Sequence, residues 1–347
     1  MGVLKYWSPF LFLALVPAGY AAGGFGAFVL LLAMPLALTS LDWLAGRESR
    51  VEGATPSRAY RLLPHLYIPA QLALIAWAGW TIAQPATTLL EAVGLTLSCG
   101  LTAGVFGFLA AHEMAHSPHP AERAYGLVML AGVLYMQFAI AHLAGHHRRA
   151  ATFEDPATAR RGESAYAFLV RSISGQARES WAHERERLGR AGRPAIGPGN
   201  RLILWGLIEV ALVVAVGLYS WRALAFFLAQ AALAIVMLEL FNYIAHYGLM
   251  RRRLPDGGLE RLGPQHSWNS ARRMNNWSLF NMGRHADHHR FSARPYHALE
   301  VLPGGTELPS GYAAAILLSL VPPLWRRVMD PRVDAAMGDR ASPESPA

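Results

Sequence analysis

The chain has 347 residues, of which 53% are hydrophobic and only 16% are charged, and its mean hydropathy is +0.23. Charged residues make up about a quarter of a typical globular protein, so this composition excludes a disordered chain and argues against an ordinary soluble enzyme. The net charge of +8 comes almost entirely from arginine, because Lys5 is the single lysine.

Apolar segments long enough to cross a membrane dominate the chain. The first charge-free run, Tyr6 to Leu41, has 36 residues, which is too long for one crossing of roughly 20 residues. The pair Gly23-Gly24 divides this run with a turn. The predicted spans are residues 7–23, 25–45, 63–83, 87–112, 201–219 and 223–248.

Segment 125–142 is also apolar, but it begins and ends beside histidines and is predicted as an embedded or amphipathic helix. The sequence therefore predicts an all-α integral membrane protein with six transmembrane helices. We expect one domain over residues 1–335, followed by a disordered tail at 336–347. The lone Cys99 lies within the fourth span, and it excludes an internal disulfide and a cysteine-rich metal site.

The arginines are distributed unevenly among the connections between the spans. Segment 46–61 carries four arginines, segment 148–201 carries eleven, and three more follow the last span. The other connections carry only Arg222. By the positive-inside rule, both termini and the long connections face the cytoplasm. We therefore interpret the arginines as markers of topology and contacts for anionic lipids, and not as ligands of nucleic acid.

Nine of the fourteen histidines fall into the four motifs HEMAH, HLAGHH, NYIAHYGL and HADHH. Three of these motifs contain histidines four residues apart, which share one face of a helix and can bind one metal ion. The candidate ligands are His112, His116, His142, His146, His147, His246, His285, His288 and His289. Nine imidazoles exceed the ligand number of one ion, so we expect two ions with four or five ligands each. Imidazole suits iron, copper, zinc and nickel, and the spacing does not choose among them.

The predicted topology places all four motifs at the cytoplasmic ends of the spans or just beyond them, so they can form one site. The remaining histidines are interpreted singly as interfacial or hydrogen-bonded residues. They are His65, His119, His183, His266 and His297. HEMAH alone also matches the zinc metalloprotease pattern H-E-x-x-H, with Glu113 as general base. A zinc protein, either protease or transporter, therefore remains an alternative, although a protease leaves the other histidine motifs unexplained.

Taken together, the motifs resemble those of the membrane-bound alkane 1-monooxygenases, a branch of the fatty-acid-desaturase-like di-iron proteins. HEMAHS is similar to the family's HE[LM]xHK box, and AHLAGHH with the following DPAT and GES segments is similar to its EHxxGHH box. NYIAHYGL resembles NYxEHYGL, which separates alkane hydroxylases from desaturases. HSWNS followed by RHADHH is similar to the last two boxes, so the likeness covers about residues 5–335. Two of the motifs are shared with xylene and cymene side-chain monooxygenases.

This resemblance implies two non-haem iron ions held by the nine histidines, and hydroxylation of the terminal carbon of linear alkanes with O2. The sequence contains no nicotinamide, flavin or C-x-x-C motif, so electrons are expected from rubredoxin, or a ferredoxin, and its reductase. A bacterial-type inner membrane is the expected location. Gly100, Gly104 and Gly107 on the fourth span allow either close helix packing, which we favour, or an apolar channel. An aromatic methyl hydroxylase and a fatty-acyl desaturase or hydroxylase on the same scaffold remain alternatives.

The sequence departs from the family boxes at three positions. Ser117 replaces a lysine, and Ala141 and Ala245 replace glutamates. Carboxylates normally orient metal-bound imidazoles from outside the ligand shell, so other acidic residues would have to take over this role. The candidates are Glu113, Asp155, Glu239 and Asp287. We hypothesise that Glu239, two helical turns before His246, partly replaces the missing acid. A glutamate that lines a pore or hydrogen-bonds between helices is the equally weighted alternative.

Overall fold

The computed structural model describes residues 2–48 and 58–338. Within these residues it is mostly helical, and six helices are long and apolar enough to cross a membrane. They are Gly2–Ala21, Gly24–Ala45, Arg58–Ala83, Leu89–Ala115, Arg201–Tyr219 and Trp221–His246. The six segments correspond to the six predicted spans. Most of the predicted tail, residues 339–347, lies outside the described residues, and Ala336 and Met337 belong to the last helix.

The first two spans form a helical hairpin. Each of the two spans begins with a 3₁₀ turn, Gly2–Trp7 in the first and Gly24–Phe28 in the second. Between them, Gly23 and Gly24 adopt φ values of +75° and +52°, which side chains with a Cβ rarely tolerate. The predicted turn at this glycine pair is therefore confirmed. The first three helices are α1 Ser8–Ala21, α2 Val29–Ala45 and α3 Arg58–Ala83.

The fourth span is two helices joined by a π turn. It comprises α4 Leu89–Thr102, the π turn Ala103–Gly107 and α5 Phe108–Ala115. A capping box starts α4, since the Glu91 N–H donates to Thr88 Oγ1 and the Thr88 N–H donates to Glu91 Oε2. Turns of this type occur frequently at functional sites, and here α5 carries the HEMAH motif.

Gly100 and Gly104 of the fourth span lie against the sixth span, and Gly107 lies against the Met129 side chain. A Cβ on Gly104 would lie 2.7 Å from the Met237 Cβ, and one on Gly100 would lie 2.8 Å from the Leu233 side chain. No side chain fits between the two helices at these points. The expected close packing is therefore confirmed, as small residues at a helix interface allow.

The segment between the fourth and fifth spans is more broken than the single helix expected over 125–142. A turn in which Leu134 adopts φ +53° interrupts it. Next comes the π turn Ala141–His146, which carries most of the HLAGHH motif. The helices here are α6 Pro120–Ala131, α7 Phe138–Ile140, α8 His147–Arg149 and the long polar α9 Ala165–Arg190.

The last two spans and the chain that follows them complete the fold. The spans are α10 Arg201–Tyr219 and α11 Trp221–His246. Beyond them lie α12 Arg273–Ser278, α13 His285–Arg290, α14 Tyr312–Ser319 and α15 Pro322–Met337. Two short parallel strands, β1 Trp268–Asn269 and β2 Thr306–Glu307, pair Trp268 with Thr306 and brace α13. The second, fourth and sixth spans end on the same side of the bundle, where these elements pack.

Exposed tryptophans mark both ends of the bundle. Trp43 is 80% exposed at the end where the second span finishes, and Trp80 and Trp221 are 57% and 76% exposed at the opposite end. Tryptophan is enriched at both interfaces of a membrane. The structure therefore describes a multi-pass membrane protein whose histidine motifs all lie at one end of the spans.

Candidate metal centre

The nine predicted histidines form two adjoining groups. The five-histidine group contains His112, His116, His142, His147 and His288. The four-histidine group contains His146, His246, His285 and His289. Within each group, one ligand atom from every residue lies within 4.8 Å of the others. This partition agrees with the arithmetic expectation of four or five ligands for each of two ions.

Ring nitrogens within a group converge at the spacing of ligands on one ion. In the five-histidine group, His142 Nε2 lies 3.0 Å from the Nε2 atoms of both His116 and His147. In the four-histidine group, His285 Nε2 lies 3.0 Å from His246 Nε2. Two nitrogens bound about 2.1 Å from a common ion, at right angles, lie about 3.0 Å apart. The residues present therefore fit two metal ions.

The burial of the rings keeps them in the form that binds metal. Desolvation and the neighbouring rings lower the pKa of these histidines well below the usual value of 6.5. The residues are His116, His142, His147, His285, His288 and His289. Neutral imidazoles have free lone pairs for a metal ion and need no proton release on binding.

Asp155 supports one of the candidate ligands directly. His146 Nδ1 donates to Asp155 Oδ2 at 2.8 Å, and Thr158 Oγ1 donates to the same oxygen at 2.6 Å. Burial would raise the pKa of Asp155, but the His146 interaction and the hydrogen bonds outweigh it and lower the pKa below its ordinary value. His146 Nε2 is buried without a hydrogen-bond partner. The carboxylate therefore orients the ring so that Nε2 faces the other histidines of its group.

Glu239 does not take the place of the acid missing beside His246. Its carboxylate accepts hydrogen bonds from Ser172 Oγ at 2.6 Å and Gln176 Nε2 at 2.8 Å. Tyr135 donates a third at 3.3 Å. Among the described residues Glu239 bonds no histidine, because two helical turns, about 10 Å, separate it from His246. Glu239 instead ties α9 to α11, so the structure corrects the hypothesis of a replacement acid and agrees with the alternative of an inter-helix hydrogen bond.

Glu113 and Asp287 hold elements in place and bond no ring nitrogen in the part of the chain described. The Tyr296 N–H donates to Glu113 Oε1 at 3.2 Å, which links α5 to the chain beyond α13. Asp287 Oδ2 accepts from Arg294 at 2.8 Å and from the Glu300 N–H at 2.9 Å. Both carboxylates therefore position helices that carry candidate ligands.

Sequence reasoning missed two residues that support the histidine motifs. Arg284, directly before the HADHH motif, is buried and donates to the Leu299 carbonyl at 2.6 Å and to Glu48 at 2.9 Å. Phe138 stacks on His142 with ring centroids 4.8 Å apart. An arginine beside a ligand motif was the available signal, whereas the stacking contact had none. The remaining histidines, at 65, 119, 183, 266 and 297, lie outside both groups.

An apolar cavity of about 50 Å³ lies next to the histidines, between α2, the fourth span, α11 and α14. Phe241 lines it, and its ring centroid is 5.6 Å from that of His285. Phe108 also lines it, one helical turn before His112, and packs against Phe138 at 5.8 Å. No charged residue lines this cavity, which we call the inner cavity.

The fold and the site define a membrane-embedded, histidine-rich metal protein, and the family model for fatty acid desaturase matches residues 86–302. Alkane 1-monooxygenase 1 of Pseudomonas aeruginosa is 39% identical over 345 residues, covering 95% of this chain and 90% of the relative. Alkane 1-monooxygenase of Ectopseudomonas oleovorans is 37% identical over 326 residues, covering 91% and 81%. The chain therefore belongs to the alkane 1-monooxygenase family, and it is an oxidoreductase of the monooxygenase class.

A more distant relative concerns the alternative of an aromatic methyl hydroxylase. The xylene/toluene monooxygenase hydroxylase component of Pseudomonas putida is 26% identical over 332 residues, covering 94% of this chain and 87% of the relative. The family resemblance drawn from the motifs is thus confirmed, with the alkane relatives more similar than this aromatic one. Membership of a monooxygenase family also sets aside the zinc protease that HEMAH alone allowed.

Proposed function

We propose that this protein is a di-iron monooxygenase that converts the terminal methyl group of a linear alkane into a primary alcohol. In the balanced reaction, RCH3 + O2 + 2 e⁻ + 2 H⁺ gives RCH2OH + H2O. The five-histidine and four-histidine groups hold one iron ion each. Two bound irons would supply the activation of O2 and the oxidation of the C–H bond.

The inner cavity is the observation that carries this proposal. Its walls are aliphatic and aromatic apart from the Asn275 amide, which already donates to the Leu38 carbonyl. They carry no charge, so they suit the end of a hydrocarbon chain. Phe241 lines this space 5.6 Å from the His285 ring, and Phe108 lines it one helical turn before His112, so the end of a chain held there lies beside the site. Placement of the reacting carbon is the share of catalysis that the protein itself provides.

Electrons are proposed to come from a rubredoxin-type donor, or a ferredoxin, with its reductase. The histidines lie at the same end of the spans as the long connection that carries Arg148, Arg149 and further arginines. By the positive-inside rule we place this end in the cytoplasm and the protein in the inner membrane. A basic cytoplasmic face would attract an acidic donor.

The test is whole-cell conversion with the full chain, a rubredoxin and its reductase. Octane, hexadecane and p-xylene are supplied separately, and alcohols are measured by gas chromatography. A 1-alkanol that disappears in His288→Ala but persists in His119→Ala supports the proposal. His119 is an exposed histidine outside both groups. An aryl-methanol from xylene alone, a new double bond in membrane acyl chains, or zinc in place of iron would each refute it.

A further inference from the structure

A second apolar cavity lies between the spans, on the other side of the bundle from the inner cavity. It has a volume of about 680 Å³, within the range of about 300–1,000 Å³ typical of small-molecule sites. Its walls come from α3, α6, α10 and α11, and no charged residue lines it. The space exists because α10 packs mainly on α11 and has no buried residue. We call it the lateral groove.

The lateral groove opens toward the lipid and extends deep into the membrane. Trp80 and Leu204, which line it, are 57% and 53% exposed. Leu204 and Tyr219 both line it and lie 15 residues apart on α10, which corresponds to about 22 Å along the helix. One leaflet contributes only about 15 Å of hydrocarbon, half of a core of about 30 Å. A chain tethered to a head group at one surface therefore cannot fill the groove.

The arginines at the two ends of the groove are already engaged. Arg201, at the start of α10, donates to Glu184 Oε2 at 2.7 Å. Arg222, at the opposite end, donates to the carbonyl oxygens of Gln84 at 2.8 Å and Thr87 at 2.5 Å. Neither is positioned to recruit a phosphate group. The charge pattern thus favours an occupant with no head group.

One wall of the groove belongs to the segment that carries candidate ligands. Met136 lines the groove. Its backbone N–H donates to Glu209 Oε1 at 2.9 Å, so this N–H group already has a hydrogen-bond partner. Two residues later, Phe138 stacks on His142. An occupant of the groove therefore packs on the outer side of the same segment whose inner side faces the histidines.

We propose that the lateral groove is a second hydrocarbon site, which binds a free linear alkane within the bilayer before it reaches the inner cavity. This inference rests on the proposed function for the identity of the ligand. A linear alkane has the required length, lacks charge and head group, and can occupy any depth in the membrane. Binding beside the segment 131–138 raises the local concentration of substrate near the site.

The first test is photolabelling of the full, metal-loaded chain in phospholipid nanodiscs with a diazirine-bearing hexadecane. We expect labelled peptides from α10 and α3, and labelling reduced several-fold by a tenfold excess of hexadecane. A phospholipid that carries the same diazirine on its acyl chain should label the groove several-fold less at the same mole fraction in the bilayer. Equal or stronger labelling by this phospholipid would make the occupant a lipid acyl chain, and absence of alkane label in the groove would remove the site; either result overturns the proposal.

A matched pair of variants on α10 sharpens the test. Ile208 lines the groove, whereas Val210, two residues later, lies on the opposite face of the helix, and both are exposed. Ile208→Trp should abolish the labelling and raise KM for hexadecane several-fold more than it lowers kcat, and Val210→Trp should do neither. Leu212→Phe provides a second groove variant if the first accumulates poorly. Wild-type KM and labelling in both groove variants would overturn the proposal.

The two proposals fail separately in these experiments. If the wild-type chain labels in the groove but oxidises no alkane, the proposed reaction is refuted and the hydrocarbon site stands. If it oxidises alkanes with no label in the groove, the reaction stands and the second site is refuted.

Discussion

The two histidine groups differ in how they are shielded and supported. Every ring of the four-histidine group is buried, and Asp155 holds His146 by a 2.8 Å hydrogen bond. In the five-histidine group, His116 and His147 are only partly buried. No carboxylate bonds a ring nitrogen of that group within the described chain. Similar ligand sets therefore sit in unequal surroundings, and these surroundings should govern how tightly each ion is retained.

The groups are nevertheless joined through the chain. His146 and His147 are adjacent in sequence but belong to different groups. The same is true of His288 and His289. Successive residues of a helix project about 100° apart, so one short helical segment can provide ligands to two ions. The two sites therefore share a scaffold, and experiments on one can be read against the other.

The largest effect should come from removing a ligand of the buried group. We expect His285→Ala to lower alkane hydroxylation to below about 1% of wild type, because the reaction needs both ions in place. Iron content should fall from two ions per chain to about one. Elemental analysis of purified protein and alcohol production measure the two effects. His119→Ala is the control, and equal losses in both variants would contradict the assignment.

The next largest effect should be a difference between the two histidine groups in how fast a chelator removes their ions. The ion of the five-histidine group should leave first under a chelator, since part of its ligand shell is exposed and unsupported. We expect two phases of iron release whose rates differ by about tenfold or more, as loss of outer support costs about 10–100-fold in affinity. Rapid-mixing absorbance with a coloured chelator records the phases. A single phase for both ions would show that the difference in burial has no consequence.

Asp155→Ala should bring the rates of the two phases of iron release closer together. Without the carboxylate, His146 loses the hydrogen bond that fixes its ring, and the slow phase should accelerate by about 10–100-fold. Glu239→Gln is the matched control, because Glu239 is equally buried but bonds Ser172 and Gln176 and no histidine among the described residues. We expect unchanged iron release from it. Acceleration by Glu239→Gln instead would restore the role first hypothesised from its position on α11.

The membrane spans, the first turn and the candidate ligands could be predicted because each depends on a short stretch of sequence. The spans follow from charge-free runs, and the turn at Gly23-Gly24 follows from the conformational freedom of glycine. The nine histidines were found because their spacing along helices is short. The resemblance to the family boxes then predicted that the nine histidines share one metal site. Asp155 is among the supporting acids that the sequence predicts.

Contacts between distant segments could not be predicted in the same way. The side chain of Glu239 is fixed by Ser172 and Gln176, which lie more than 60 residues away on α9. The break at Leu134 and the π turn at Ala141–His146 arise where packing between distant segments overrides helical propensity. The lateral groove likewise depends on how α10 packs, which hydropathy does not report.

The smallest effect should come from the scaffold remote from both groups. Glu184 on α9 accepts hydrogen bonds from Arg187 and Arg201 and has no exposed side-chain surface. Burial would raise its pKa, but these hydrogen bonds outweigh it and lower the pKa to about 2 from 4.5. A depressed pKa means that the stabilisation is complete above about pH 4.5 and is lost as the pH falls toward 2.

Glu184→Gln should therefore lower the free energy of unfolding by about 1–2 kcal/mol at pH 7, a modest value because both arginines are partly solvated. The deficit should shrink below pH 4.5, where the Glu184 carboxyl takes up a proton in the unfolded wild-type chain but not yet in the folded one. Thermal unfolding in detergent can follow this change. Glu186→Gln on the same helix removes only an exposed pair with Arg190 and should change little. Both phases of iron release should keep their wild-type rates in these variants. If Glu184→Gln shifted one phase alone, the unequal retention of the two ions would reflect the fold at large and not the burial of each histidine group.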